Sequence, residues 1–194
     1  MLSEKVEVTV VGSGYVGMSL AVLLAQHNDV TILDIDPERV DQVSCRESTV
    51  TDPDIEAFLK ERELSLSATL DVDEAYSGAE FVVVAAPTNY DPDTNQFDTR
   101  AMDSVVTQAA LLAKDALVVI ESTAPVGHTR GLRRVCGTER IVCSREFLRE
   151  GQALHDNLHP SRMIMGCLEE LAGSAKLFLD AAGKVFTRDI FGSN

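Results

Sequence analysis

Short runs rich in Val and Ile alternate along the chain with segments whose apolar residues recur every three to four positions. VEVTVVG (6–12) reads as a buried strand and YVGMSLAVLLAQH (15–27) as an apolar helix, with Asn28 suited to a left-handed helix end. DVTILDID (29–36) is a second strand, and PERVDQVS (37–44) a helix with Pro37 at its first position. DPDIEAFLKERE (52–63) is a helix with Asp52 as N-cap and Pro53 following it. LSLSATL (64–70) and EFVVVAAPT (80–88) read as strands, with a short helix between them at 71–79. A polar loop, NYDPDTNQFDT (89–99), precedes the helix RAMDSVVTQAALLAK (100–114). The strand ALVVIEST (116–123), a helix after Pro125, the strands RIVCS (140–144) and RMIMG (162–166), and the helix LEELAGSAKLFLDAAG (168–183) complete the order.

Alternation of this kind implies a mainly parallel sheet with helices on both faces, an α/β, Rossmann-like doubly wound fold. No repeat, low-complexity stretch or second domain interrupts it, so residues 1–194 are expected to form one domain. At 45% hydrophobic and 25% charged residues, a core of normal size is available. The formal net charge of −14 argues against nucleic acid or an anionic membrane surface as a partner. No apolar run approaches the roughly 18 residues of a membrane span, and the N-terminus has no signal-peptide core, so a cytoplasmic protein is expected. Cys45, Cys136, Cys143 and Cys167 are widely spaced, which reads as reduced thiols rather than disulfides or a metal site.

The first chemical motif is Gly12-x-Gly14-x-x-Gly17, directly after the first strand and opening the first helix. In that context Gly12 permits a tight turn, Gly14 lets backbone approach a pyrophosphate, and Gly17 lets helix pack on strand. The helix N-terminus adds free N–H groups for phosphates. Asp34 ends the second strand, twenty positions after Gly14. A carboxylate there accepts the ribose hydroxyls of NAD and repels the 2′-phosphate of NADP, although Arg39 nearby suits a phosphate. A glycine turn that holds flavin, S-adenosylmethionine or nothing is the plainer alternative.

Ligands of open parallel sheets bind beyond the carboxyl ends of the strands. Three further ends carry polar residues: Pro87, Thr88 and Asn89; Ser122, Thr123 and Pro125; and CSREFLREG (143–151). Each alone is an ordinary turn; together, beside a glycine loop, they suggest one crevice. The stretch SREFLREGQALHDNLHPSR (144–162) packs three Arg, two Glu, one Asp and two His into nineteen residues. Without further information, Glu146 and Glu150 read as a solvated i, i+4 face with Arg145 and Arg149.

The chain resembles the UDP-glucose 6-dehydrogenases, of the UDP-glucose/GDP-mannose dehydrogenase family. The resemblance rests on GSGYVG (12–17), LDID (33–36), APTNYDPDTNQFDT (86–99), ESTAPVGHTR (121–130) and REFLREGQALHDNLHPSR (145–162). It implies oxidation of the C6 alcohol of a UDP-sugar to a carboxylate by two NAD. It further implies that Gly12, Gly14, Tyr15, Val16 and Gly17 form the cofactor loop, and that Asp34 and Arg39 hold the adenosine ribose. Thr88 and Thr123 would contact NAD near the nicotinamide, and Thr123 would help position a water or the substrate oxygen. Glu146, Phe147, Leu148, Arg149 and Glu150 would line the substrate pocket. Glu146 is similar to the family's acid/base or water-positioning carboxylate, and Glu150 to the one reaching both cofactor and substrate. A carboxylate in a partly dry crevice suits that task.

Two departures bear on activity. Arg145 stands where the family usually has Pro. The family's nucleophilic Cys in its glycine-rich motif, which forms a thioester that water hydrolyses, has no counterpart, and Cys143 at a strand end is a poor substitute. The expectation is an NAD-binding half that binds the cofactor and is inactive alone. The alternative is a non-catalytic truncated nucleotide-binding or interaction module, whose apolar surface, exposed without a substrate half, favours self-association as a homodimer. An NADP-dependent reductase of the 6-phosphogluconate type would need a basic residue in place of Asp34. Arg149 and Arg162 are expected to supply local positive charge for an anionic substrate.

Overall fold

The apolar runs do become strands, in a computed structural model that describes residues 5–93, 95–145, 148–160 and 164–181. In chain order these are β1 (Glu7–Val11), α1 (Tyr15–Leu24), β2 (Asp29–Leu33), α2 (Pro37–Ser44), α3 (Pro53–Glu61), β3 (Leu66–Thr69), α4 (Val72–Tyr76) and β4 (Phe81–Val84). They continue as β5 (Asn89–Asp91), β6 (Gln96–Asp98), α5 (Arg100–Leu112), β7 (Leu117–Ile120), α6 (His128–Cys136) and β8 (Ile141–Arg145). Last come α7 (Ala153–Leu158), β9 (Ile164–Gly166), a 3-10 turn (Glu169–Leu171) and α8 (Ala172–Ala181).

The main sheet has the order β3-β2-β1-β4-β7-β8-β9. It is parallel from β3 to β8, and β9 closes the edge antiparallel to β8. The reversal of direction of travel falls between β1 and β4, the switch point where doubly wound sheets bind ligands. Burial on both faces explains why β4 and β7 are apolar at every position. Alternate residues serve two cores. Val8, Val10, Ile32, Phe81, Val83 and Val119 meet Met18, Leu20, Leu154 and Phe178 on one face. Val11, Leu33, Val82, Val84 and Ile120 meet Tyr76, Met102, Val106 and Leu132 on the other.

α1 is buried from Gly17 through Leu24, because the sheet covers one side and α3 and α7 cover the other. That double cover accounts for a helix apolar all round. α2 and α3 start as their Pro and Asp residues require: the Asp36 carboxylate accepts from Glu38 N–H, and the Asp52 carboxylate from Asp54 and Ile55 N–H. Residues 89–99 are less of a loop than their polarity suggests. β5 and β6 pair as an antiparallel hairpin, with Tyr90 and Phe97 rings 5.2 Å apart.

Asn28 does not take the left-handed helix end expected of it. Arg46 and Asn95 are the non-glycine residues with positive φ among those described. Asn28 is instead buried, and its amide donates to Leu24 C=O and Ala181 C=O, both at 3.0 Å. A side chain that bridges α1 to α8 contributes more than a local turn preference. Asn28→Ala should therefore cost about 1–3 kcal/mol by removing the amide that Ala181 C=O accepts, while Leu24 C=O keeps the backbone N–H groups of His27 and Asn28. Asn28→Gly should be no milder, as read by urea unfolding. A Gly variant as stable as the parent would restore the helix-end reading.

Candidate functional site at the carboxyl edge of the sheet

The ends of β1, β2, β4, β7 and β8 lie side by side along one edge, because those strands are successive or neighbouring members of the parallel sheet. Backbone bonds carry the ladder into the loops. Gly12 N–H donates to Leu33 C=O and Ala85 N–H to Val11 C=O, both at 2.9 Å, and Glu121 N–H to Val84 C=O at 3.0 Å. The buried Ser122 hydroxyl donates to Ala86 C=O at 2.7 Å. It ties the loop carrying Thr123 to the loop carrying Thr88, so these two expected cofactor contacts are neighbours. Thr123 is exposed and Thr88 half-buried.

The three motif glycines differ in what demands them. Gly12 has φ +97°, and a Cβ there would stand 2.7 Å from Ala85 C=O. A Cβ on Gly17 would stand 1.8 Å from Gly12 C=O. Both are required by the protein itself. Gly14 is not: its φ is −76°, and a Cβ would meet nothing within 4 Å. The space in front of Gly14 is kept clear of protein, at the N-terminus of a ten-residue helix whose first N–H groups have no intrahelical acceptor. Tyr15 and Val16 flank it, half-buried. The residues present thus fit a dinucleotide pyrophosphate.

Asp34 lies one strand over, 9% exposed. Its Oδ2 accepts from Ser13 N–H at 2.8 Å and from Ser13 Oγ at 2.5 Å, and its Oδ1 accepts from Asp36 N–H at 3.1 Å. Burial pushes this carboxyl up. The bonds from Ser13 and Asp36, with the Arg39 charge, outweigh burial and hold it below the usual carboxylate range. Asp34 is therefore an oriented anion at neutral pH, with a lone pair left on Oδ1 for a hydroxyl donor. Arg39 sits at the rim, its Nε 3.8 Å from Asp36 Oδ2.

The third wall follows β8. Leu148 is half-buried, and Arg149 and Glu150 are exposed. Glu146, Phe147 and Arg162 lie outside the described residues. Arg149 does not stand ready for an anionic substrate as its sequence context suggests. Its Nη2 and Nε reach Asp156 at 2.7 and 3.1 Å, and its N–H donates to the same carboxylate at 2.9 Å. The fork closes residues 149–156 into a turn leading into α7. Hydrogen bonding from Arg149 is what holds the Asp156 carboxyl at about 2.

Several residues of the site have roles that the motifs containing them do not announce. Ser13 orients Asp34, Ser122 joins two loops, and Ser19 accepts from Asn157 Nδ2 at 2.8 Å while donating to Val16 C=O at 2.9 Å. Only a strand-and-helix register places such residues together. Among the described residues no helix is long and apolar enough to cross a membrane.

Fold and crevice together define a Rossmann-type dinucleotide-binding domain. The chain belongs to the UDP-glucose/GDP-mannose dehydrogenase family: residues 6–181 match its NAD binding domain. It is 44% identical over 160 residues to the UDP-glucose 6-dehydrogenase of Streptococcus pneumoniae, covering 82% of this chain and 41% of that one. It is 40% identical over 162 residues to that of Campylobacter jejuni, with the same coverage of 82% and 41%. Among solved structures, a UDP-glucose dehydrogenase from Pyrobaculum islandicum superposes with a TM-score of 0.82 at 27% identity, over 97% of this chain and 46% of that one. The chain thus spans less than half the length of these relatives. NAD is the cofactor of the family and of the domain.

The glycines separate folding from binding. Gly17→Ala should lose about 1–3 kcal/mol or more of stability through overpacking. Gly14→Ala should stay within about 1 kcal/mol of the parent, yet bind NAD at least about tenfold more weakly. Thermal melts with and without NAD read both; a Gly14→Ala protein with parental affinity would remove the pyrophosphate from this loop. For Asp156, the lowered carboxyl contributes stability that is full above an unfolded value of about 4 and lost as pH falls through about 2. The stability difference between parent and Asp156→Asn, from urea unfolding at successive pH values, should shrink across that window. A difference independent of pH would show the fork to be unformed in solution.

Proposed function

We propose that the chain is the NAD-binding half of a UDP-glucose 6-dehydrogenase, the activity in which two NAD oxidise the C6 alcohol of UDP-glucose to the carboxylate of UDP-glucuronate. The observation that carries the cofactor side is the clear space at Gly14, which the fold itself does not need. Choice of UDP-glucose is supported by the names of the relatives at 44% and 40% identity.

In this reading the first turn of α1 takes the pyrophosphate and Asp34 the adenosine ribose hydroxyls. Asp34 would lie against any 2′-phosphate as an anion, which disfavours NADP. Arg39 closes the ribose from the rim. Thr88 and Thr123, joined through Ser122, face the nicotinamide end, where a bound ring supplies the hydride acceptor. Glu150, with Glu146, Phe147, Leu148 and Arg149, walls the sugar side. Glu146 takes the proton of the alcohol or positions a water, Glu150 spans cofactor and substrate, and Thr123 holds the reacting oxygen.

The thiol step has no candidate here. Cys167 is buried, and burial pushes its thiol up, away from thiolate. Cys45 caps the C-terminal end of α2 and Cys136 ends α6, away from the strand ends that open those two helices. Cys143 is half-buried within β8, paired in register with Gly166. The chain by itself therefore binds NAD without completing the oxidation.

Calorimetric titration tests this directly. NAD should bind at least about tenfold more tightly than NADP. UDP-glucose should give little heat, and NAD with UDP-glucose no rise in NADH absorbance. Tighter NADP binding would overturn the role of Asp34, and turnover by this chain would overturn its incompleteness.

A further inference from the structure

The connection between α2 and α3, residues 46–52, touches both walls of the crevice. α2 ends with Arg46 at φ +62°, and Glu47 N–H returns to Gln42 C=O at 2.8 Å. Arg46 Nη2 donates to Leu64 C=O at 2.8 Å, which anchors the start of the connection. Thr49 Oγ1 then donates to Ser13 C=O at 2.5 Å. Ser13 is the residue whose N–H and hydroxyl orient Asp34. Three positions further on is Asp52, wholly buried.

Asp52 caps two helices at once. Its Oδ1 accepts from Asp54 and Ile55 N–H, at 3.1 and 3.3 Å, at the start of α3. Its Oδ2 accepts from Ala153 and Leu154 N–H, at 2.7 and 3.4 Å, at the start of α7, about a hundred residues away in sequence. A single N-cap needs one oxygen, and Asn or Ser serves as well as Asp. Two helix N-termini meeting at one point need two acceptor oxygens, which a carboxylate supplies. α7 directly follows Glu150, and Gly151, at φ +77°, turns beside Thr51 C=O. Further along, Asn157 fastens α7 to Ser19 on the cofactor helix.

We propose that Asp52 is a positioning residue that sets the wall carrying Glu150 relative to the cofactor loop, by capping α3 and α7 with one carboxylate while Thr49 fixes the same connection to Ser13. The proposal rests on the reading of Glu150 as a cofactor and substrate contact. Asp52 itself touches neither ligand.

Asp52→Asn separates the two caps, because an amide has one acceptor oxygen and would turn an NH2 group toward one set of N–H donors. Three measurements on the full chain suffice: hydrogen exchange of individual amides, and titrations with NAD and with ADP-ribose, which lacks the nicotinamide. The affinity gained by NAD over ADP-ribose reports the nicotinamide end. In Asp52→Asn, exchange at Ala153 and Leu154 should rise by about tenfold or more, with Asp54 and Ile55 changing less. The NAD-over-ADP-ribose gain should fall by about threefold or more while ADP-ribose affinity holds within about twofold. A general loss of fold would weaken both ligands together. Glu150→Ala should remove the same gain and leave Ala153 and Leu154 protected. If Glu150→Ala removes the gain but Asp52→Asn keeps it, the positioning role is overturned and the site reading stands. If Glu150→Ala keeps the gain, the site reading of Glu150 fails, and the positioning role falls with it. Parental exchange at Ala153 and Leu154 in Asp52→Asn would overturn the second cap whatever the ligands do.

Discussion

The carbonyl of Gly12 and the α-carbon of Gly17 approach so closely that a Cβ at Gly17 would lie 1.8 Å from the oxygen. That contact sets how near the first helix comes to the end of the first strand. The rest of the crevice takes its dimensions from it. Because α1 sits so low on β1, its first turn opens beside the ends of β2 and β4, the strands hydrogen-bonded to β1 on either side. Asp34 and Ala85 then lie against the same glycine turn. α7 in turn packs on α1, so the wall after β8 inherits the same placement.

An anionic cofactor meets here a chain of net charge −14. Two of the arginines along this edge are already engaged by carboxylates. Arg149 is held by Asp156 and Arg39 stands beside Asp36. At the end of β1 the chain presents backbone: a helix N-terminus and a glycine that leaves it uncovered. Backbone N–H groups and the helix dipole bind phosphate without carrying a formal charge. They also impose geometry that a flexible lysine would not. An acidic surface is therefore compatible with NAD as a ligand, provided that phosphate is met at short range.

The layer order and the cofactor loop were legible in the sequence because their signals are local. Each core strand is a run of apolar residues, Gly12, Gly14 and Gly17 sit in one turn, and Asp34 closes the next strand. Even the N-cap role of Asp52 is visible in Asp-Pro before an amphipathic run. Its second role is not, since Ala153 and Leu154 are brought to it by packing of α7 on α1 and α3. The same holds for Asn28, whose local preference for a helix end yielded to carbonyls of α1 and α8. Arg149 illustrates the third kind of limit. Its partner Asp156 is seven positions away, about 10 Å along a continuous helix and so out of direct reach, and becomes a contact only after Gly151 turns the chain.

Asp34 and Asp52 show how one residue type serves two ends in the same crevice. Both are buried, and both accept backbone N–H groups rather than pairing with a single cation. Asp52 spends both oxygens on the protein, two donors each, so its charge holds parts of the fold together. Asp34 accepts from Ser13 and Asp36 and lies at the mouth of the strand, where hydroxyl donors from a ligand can still reach it. The difference is one of saturation. A carboxylate with every lone pair engaged fixes structure, whereas one oriented by the protein but incompletely engaged keeps an acceptor site open. Ser13 and Thr49 link the two, so the orientation of the Asp34 carboxylate and the start of α7 share a single length of backbone.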